Sequence, residues 1–213
     1  MGTREHTWIP LCEAAAGAAG MVVFALRVHR GPAWASAGGL AVAAVALGHC
    51  VGREPDRWAI LGLRRLPRGM VQAAVLGALI GVVLGVIYRL RYDWGMLPPR
   101  LTWFALAGAA IGATEEGFYR GYVQGRLRRL GPVAAVALAA LAHTAYKCAL
   151  FAVPPSPIEM RFVTFGLVTF LGGVFFGVLR ERSGSVVPPL LAHACFDIIV
   201  YGDRAVVPWW VWS

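Results

Sequence analysis

Apolar residues along this chain fall into long blocks divided by short polar connections rich in arginine. The blocks run from Pro10 to Val28, Ala33 to Val51, Gly69 to Tyr88, Leu101 to about Gln124, Pro132 to Val153, Met160 to Leu179, and, more briefly, Val186 to Tyr201. A helix rising about 1.5 Å per residue crosses a hydrocarbon core of about 30 Å in about 20 residues. The pattern therefore predicts an all-α fold, a polytopic transmembrane helical bundle of about seven spans. The first two blocks are rich in Gly and Ala, which favours close helix packing in lipid. Between blocks two and three, Gly52 to Arg68 interleaves Trp58, Ile60, Leu61, Leu63 and Leu66 with arginines, as an amphipathic segment at headgroup level does. Tyr92 and Trp94 are expected interface anchors beside the Pro98-Pro99 break. Pro154, Pro155 and Pro157 end the fifth block, and the tail Trp209-Trp210-Val211-Trp212 is too short to span and is expected to rest in the interface.

Composition agrees with the pattern. The chain is 58% hydrophobic and only 15% charged, too apolar for one soluble core, so residues 1–213 are read as a single integral membrane domain. The net charge of +9 comes from arginines dispersed between blocks, which argues for topology signals and against a nucleic-acid face. Eleven arginines fall on the N-terminal side (Arg4, Arg53, Arg57, Arg64, Arg65, Arg68, Arg126, Arg128, Arg129, Arg180, Arg182) against seven opposite (Arg27, Arg30, Arg89, Arg91, Arg100, Arg161, Arg204). That bias puts the N-terminus in the cytoplasm. The Ala/Arg-rich composition is of the kind high-GC bacteria produce, so a bacterial inner (plasma) membrane is the expected location. Cys12, Cys50, Cys148 and Cys195 share neither metal-type spacing nor a disulfide framework and read as small buried side chains. His6, His29 and His49 sit near block ends, as interfacial histidines do. The first block carries Glu13 and lacks a basic leader region, so no cleavable signal peptide is expected.

Against that background, charged groups inside a block stand out. Each costs about 2.5–3.5 kcal/mol at a helix centre on insertion scales, so it needs a partner or a chemical task. Glu115, Glu116 and Arg120 lie in the fourth block, His143 and Lys147 in the fifth, and His193 and Asp197 in the seventh. Counted from the helix ends nearest the cytoplasm, Glu115, His143, His193 and Asp197 all fall about 10–17 Å deep. Three helices thus bring two imidazoles and several carboxylates to one level, as a single site does. Glu116 and Arg120 are four apart in the favourable order for an ion pair, and are read as a structural pair. Glu115 is turned about 100° from Glu116 and is left without a partner on its own helix. His193 and Asp197 are also four apart and can touch. Cys195 faces away from His193, against a Cys–His dyad. Lys147 lies one turn beyond His143 and is placed to snorkel toward the far interface.

These residues resemble the CAAX protease and bacteriocin-processing (CPBP or Abi) family, whose pattern is Glu-Glu-x-x-x-Arg, then Phe-x-x-x-His, then His-x-x-x-Asn or Asp, each on its own transmembrane helix. The first element reads Glu115-Glu116-Gly117-Phe118-Tyr119-Arg120 and the third His193-Ala194-Cys195-Phe196-Asp197, preceded by Arg182-Ser183-Gly184-Ser185 and Pro188. The second keeps His143 but has Ala139 where the family usually has Phe. The resemblance covers roughly residues 101–201, the core carrying the three motifs. It implies a glutamate-type intramembrane endopeptidase acting on a membrane-embedded or lipidated peptide or protein. By the resemblance Glu115 is the general base, His143 helps hold the attacking water, and His193 with the residue at 197 stabilises the oxyanion. A family Asn donates from its amide, whereas an ionised Asp only accepts. Asp197 therefore either stays protonated or orients and charges His193, which then donates alone; the second is the expectation, because contact four residues apart is geometrically easy.

Other chemistries fit less well. The chain lacks His-Glu-x-x-His, a rhomboid-type Gly-x-Ser-Gly, and an aspartyl Gly-x-Gly-Asp. No cofactor is expected, although Glu115, His143, His193 and Asp197 could form a zinc set in a metal-dependent version of the site. A non-catalytic scaffold or bacteriocin-immunity protein of the same fold is the main rival. A proton or small-molecule transporter is weaker, because no inverted repeat is visible.

Overall fold

A computed structural model of the chain describes residues 8–30, 33–53, 55–63, 69–152 and 161–204. The expectations for Arg4, His6, Arg64, Arg65, Arg68, the Pro154–Pro157 break and the Trp209–Trp212 tail lie outside the described residues. The fold is all-helical, with no strand among the described residues. The helices are α1 (Trp8–Arg27), α2 (Ala33–Gly52), the short α3 (Arg57–Ile60), α4 (Met70–Arg91), α5 (Trp103–Glu116), α6 (Gln124–Leu127), α7 (Pro132–Phe151), α8 (Phe162–Ser183) and α9 (Val187–Tyr201). A π-helical segment, Gly117–Val123, joins α5 to α6, and a 3-10 turn, Arg128–Leu130, follows α6. By length and composition, α1, α4, α7 and α8 can each cross a membrane, and α9 is a shorter apolar helix. Their lipid-type faces are apolar and exposed, as at Val71, Leu79, Val83 and Ile87 of α4.

The residues group into two compact units: Met1–Ile60 with Tyr122–Gly177, and Leu61–Gly121 with Val178–Ser213. In the first, α1 packs on α7, α2 and α6, and α6 also meets α3 and α7. Glu13, inside the first apolar block, is held by two cations, one just past the end of α2 and one in α6. Its carboxylate lies 2.8 Å from Arg53 and 3.0 Å from Arg126. Arg126 is buried, donates to the Cys50 carbonyl at 2.9 Å, and sits over the Tyr122 ring. Gln124 donates to the Gly177 carbonyl at 3.0 Å. These contacts satisfy polar groups that lipid cannot solvate.

In the second unit α9 lies against both α4 and α5. Glycines make this possible. Gly77, Gly81 and Gly85 recur every fourth residue on α4 and so form one stripe. A Cβ at Gly77 would meet the Pro188 carbonyl oxygen at 2.3 Å, and one at Gly81 the Ala192 carbonyl oxygen at 2.0 Å. The α4 and α9 backbones therefore touch directly. In lipid, where apolar side chains gain nothing by leaving the solvent, such close packing is what holds helices together. The first turn of α9 holds Pro188 and Pro189, whose missing N–H groups are no loss there. The Val186 N–H is taken by the Gly62 carbonyl at 3.1 Å. At the other end the α5 cap Thr102 accepts from the Phe104 N–H, while its Oγ1 lies 2.9 and 2.8 Å from the Gly202 and Arg204 carbonyl oxygens. The α5 start is thereby stitched to the residues that follow α9.

Candidate active site

The last turn of α5 and the face of α9 opposite it supply the chemistry of the second unit. Glu115 and Glu116 end α5, and both are buried, at 5% and 0% exposure. The chain then widens into the π-helical segment, in which each N–H reaches back one residue further than in an α-helix. Such segments occur preferentially at functional sites. Arg120 lies within it and is fully buried. Its Nη1 is 3.2 Å from Glu116 Oε1, the separation of a direct ion pair.

The same Glu116 oxygen also receives His193. The His193 Nδ1 lies 2.9 Å from Glu116 Oε1, and both groups are buried. A carboxylate paired with a guanidinium can only accept, so Nδ1–H is the donor. The other ring nitrogen, Nε2, is 3.8 Å from Glu115 Oε2 and 3.7 Å from Asp197 Oδ2. Those two separations are longer than direct hydrogen bonds. One imidazole thus faces three carboxylates, with Glu116 as its close partner. A helical wheel of α5 alone separates a structural Glu116–Arg120 pair from an isolated Glu115. The structure joins them through His193, because α9 presents its ring to both. The orienting contact on His193 likewise comes from Glu116 across the helix interface, at 2.9 Å, while Asp197 on its own helix stays at 3.7 Å.

Two residues without a functional group help build this geometry. A Cβ at Gly112, one turn before Glu116, would meet Asp197 Oδ2 at 2.5 Å and the His193 ring carbons at 3.0 and 3.1 Å. A Cβ at Gly108 would meet Asp197 only at ordinary contact distances, its Cβ at 3.5 Å and its carbonyl oxygen at 3.8 Å. Gly108 and Gly112 are four apart and open α5 toward α9. The legible signal is this spacing, which occurs on α5 as it does on α4.

His143 belongs to the first unit. It is buried on α7, with its ring nearly parallel to that of Tyr146 at a centroid separation of 6.4 Å. Ala139, in place of the usual family Phe, is buried on the same helix. The Lys147 ammonium sits 5.8 Å from the Tyr146 ring centroid. Among the described residues no group of three or more His, Cys, Asp or Glu is spaced to hold a metal ion.

Long apolar helices and a buried carboxylate–imidazole–guanidinium cluster define the class: an integral membrane protein with a buried polar cluster. Comparison with known families agrees with the resemblance. Residues 97–199, a stretch that takes in all three motifs, match the family model described as type II CAAX prenyl endopeptidase Rce1-like. No curated protein and no solved structure gives a significant match.

Proposed function

We propose that the chain is an intramembrane endopeptidase that hydrolyses a peptide bond near the C-terminus of a membrane-associated peptide or protein, with residues 1–213 acting as one membrane domain. The observation that carries this reading is the convergence of Glu115, Glu116 and Asp197 on the His193 ring in a buried setting. The match of residues 97–199 to an endopeptidase family model supports it. The arginine bias supports a cytoplasmic N-terminus, and the composition a bacterial inner membrane.

In this reading Glu115 takes a proton from water, and the resulting hydroxide attacks the scissile carbonyl. A water oxygen set off the line between Glu115 Oε2 and His193 Nε2 can lie about 2.8 Å from each, an ordinary hydrogen-bond length. As the carbonyl oxygen gains charge, His193 Nε2–H donates to it. Glu116 holds Nδ1–H, and the surrounding carboxylates balance the imidazolium. Collapse of the tetrahedral intermediate breaks the C–N bond, and Glu115 returns its proton to the leaving amine. His143 is assigned to holding the water on its place in the family motif, and the reaction is taken to need no metal.

The test is cleavage of a prenylated Cys-aliphatic-aliphatic-X reporter peptide, and of a panel of unprenylated membrane-tethered peptides, by the purified chain in nanodiscs. Glu115→Gln is expected to lower kcat by about 10²–10⁴, the usual worth of a general base, without lowering Tm. A Glu115→Gln chain that cleaves at the normal rate would refute the mechanism. Full biological complementation by that variant would favour the scaffold reading instead.

A further inference from the structure

Arg89 was expected to be a topology charge in the loop after the third span. It is instead 1% exposed, and its guanidinium is fully engaged. Its Nε donates to the Gly95 carbonyl at 3.1 Å, and Nη2 to the Trp94 carbonyl at 2.6 Å and to Asp203 at 3.0 Å. Nη1 reaches the Ile199 and Val200 carbonyls at 3.3 and 3.4 Å, and Asp203 at 3.2 Å. The Ile199 and Val200 carbonyls belong to the last turn of α9, where acceptors lack intrahelical donors and the helix dipole is negative, so a cation is well placed there. An open cavity of about 340 Å³ beside the clamp is lined by Arg89, Trp94 and Asp203 among others, which places this end of α9 within reach of water.

Arg89 also stands four residues after Gly85 and so continues the stripe of Gly77, Gly81 and Gly85. Along that stripe α9 rests on bare backbone, with the Ile199 side chain packed at Gly85. Tyr88, beside the stripe, meets Phe196 edge-on at a centroid separation of 5.9 Å. Arg89 is the residue on this track that grips α9 through charge and hydrogen bonds. Its two α9 acceptors follow Asp197 by two and three residues, about 3–4.5 Å along the axis.

We propose that Arg89 is a positioning residue: it fixes the axial register of α9, and through it the distances of His193 and Asp197 from Glu115. The catalytic half of this proposal rests on the proteolytic reading of the site. A displacement of about 1 Å at reacting groups commonly lowers the rate by about 10²-fold. Arg89→Gln, which removes the charge and most of the fork, is expected to lower kcat on the reporter peptide by about that factor while KM stays within about threefold. Arg89→Lys keeps the charge but not the five-donor fork, and is expected to restore only part of the rate.

Register is read independently by cross-linking α4 to α9 with a short bifunctional thiol reagent in a chain whose four native cysteines are replaced by Ala. Tyr88 and Phe196 face each other across α4 and α9 with ring centroids 5.9 Å apart, so a Tyr88→Cys/Phe196→Cys pair stands within the span of such a reagent. Cross-linking is expected to be fast with Arg89 present, and slower by at least about tenfold with Arg89→Gln, because a short spacer, like a disulfide, tolerates little offset. Unchanged cross-linking in Arg89→Gln overturns the register role. Slowed cross-linking with unchanged kcat overturns its link to catalysis. Slowed cross-linking in a chain that cleaves no reporter even with Arg89 intact upholds the register role and refutes the proteolytic reading alone.

Discussion

Gly112→Ala is the sharpest perturbation of the site that leaves every functional group in place. The added Cβ would sit 2.5 Å from Asp197 Oδ2 and 3.0 Å from His193 Cδ2, whereas ordinary contact begins near 3.4 Å. Asp197 must therefore retreat by roughly an ångström, and the short, buried Asp and His side chains have little freedom to do so without α9. If α9 moves, His193 Nε2 leaves Glu115 by a similar amount, from its present 3.8 Å. The expected loss in kcat is about 10²-fold, or about 2.7 kcal/mol of transition-state stabilisation. Stability is expected to change less. Overpacking costs about 1–3 kcal/mol, and the helix preference of Ala over Gly returns about 1 kcal/mol. Gly108→Ala is the internal control, since its Cβ would find Asp197 Cβ at an ordinary 3.5 Å. It should keep kcat and hold or raise Tm. The assay is steady-state cleavage of the reporter peptide in nanodiscs, with thermal unfolding of each variant measured in parallel. Equal kcat for Gly112→Ala and the unaltered chain would refute the claim that α5–α9 spacing sets the site.

Three further outcomes are expected. His193→Ala should lose about 10²–10³ in kcat, the usual worth of an oxyanion donor, while Asp197→Asn should stay within about tenfold, because the orienting contact on His193 comes from Glu116; the two are compared on one substrate at matched folded fraction. Glu13→Gln should destabilise the chain by about 3 kcal/mol, because it leaves the buried Arg126 without its carboxylate, and thermal unfolding in detergent reads this. Prolonged dialysis against a chelator should leave kcat unchanged, and metal analysis of the active preparation should find less than one equivalent of zinc.

The helical class and the location of the polar groups were legible because lipid imposes a simple rule. Apolar blocks of sufficient length read as spans, and a charge inside one demands explanation. Glu115, Glu116, Arg120, His193 and Asp197 were found this way, and the cluster of the second unit draws on all five. Their connectivity was not legible. Periodicity within α5 reports which residues share a face, not which residue of another helix approaches that face. The double use of Glu116 by Arg120 and His193 was therefore invisible. The arginine count had a similar blind spot, since Arg89, Arg126 and Arg180 sit in the connections as free charges would, yet are buried. Burial depends on tertiary partners such as Asp203 and Glu13, which are distant in sequence. The glycine spacing at 77, 81 and 85 and at 108 and 112 was present to be read, and marks where helices touch.

The π-helical segment sets the angle at which Arg120 leaves its helix. Glu116 follows the α-helical frame, and Arg120 follows the wider turns begun at Gly117. A single deletion between Gly117 and Tyr119 would let these turns close and swing Arg120 by about 100° relative to Glu116. On a lipid-facing helix such a rotation is cushioned, because lipid accepts any apolar face. Here it would turn the Arg120 guanidinium away from the Glu116 carboxylate. The motif should therefore accept many substitutions at Phe118 or Gly117 far more readily than it accepts any change in the number of residues.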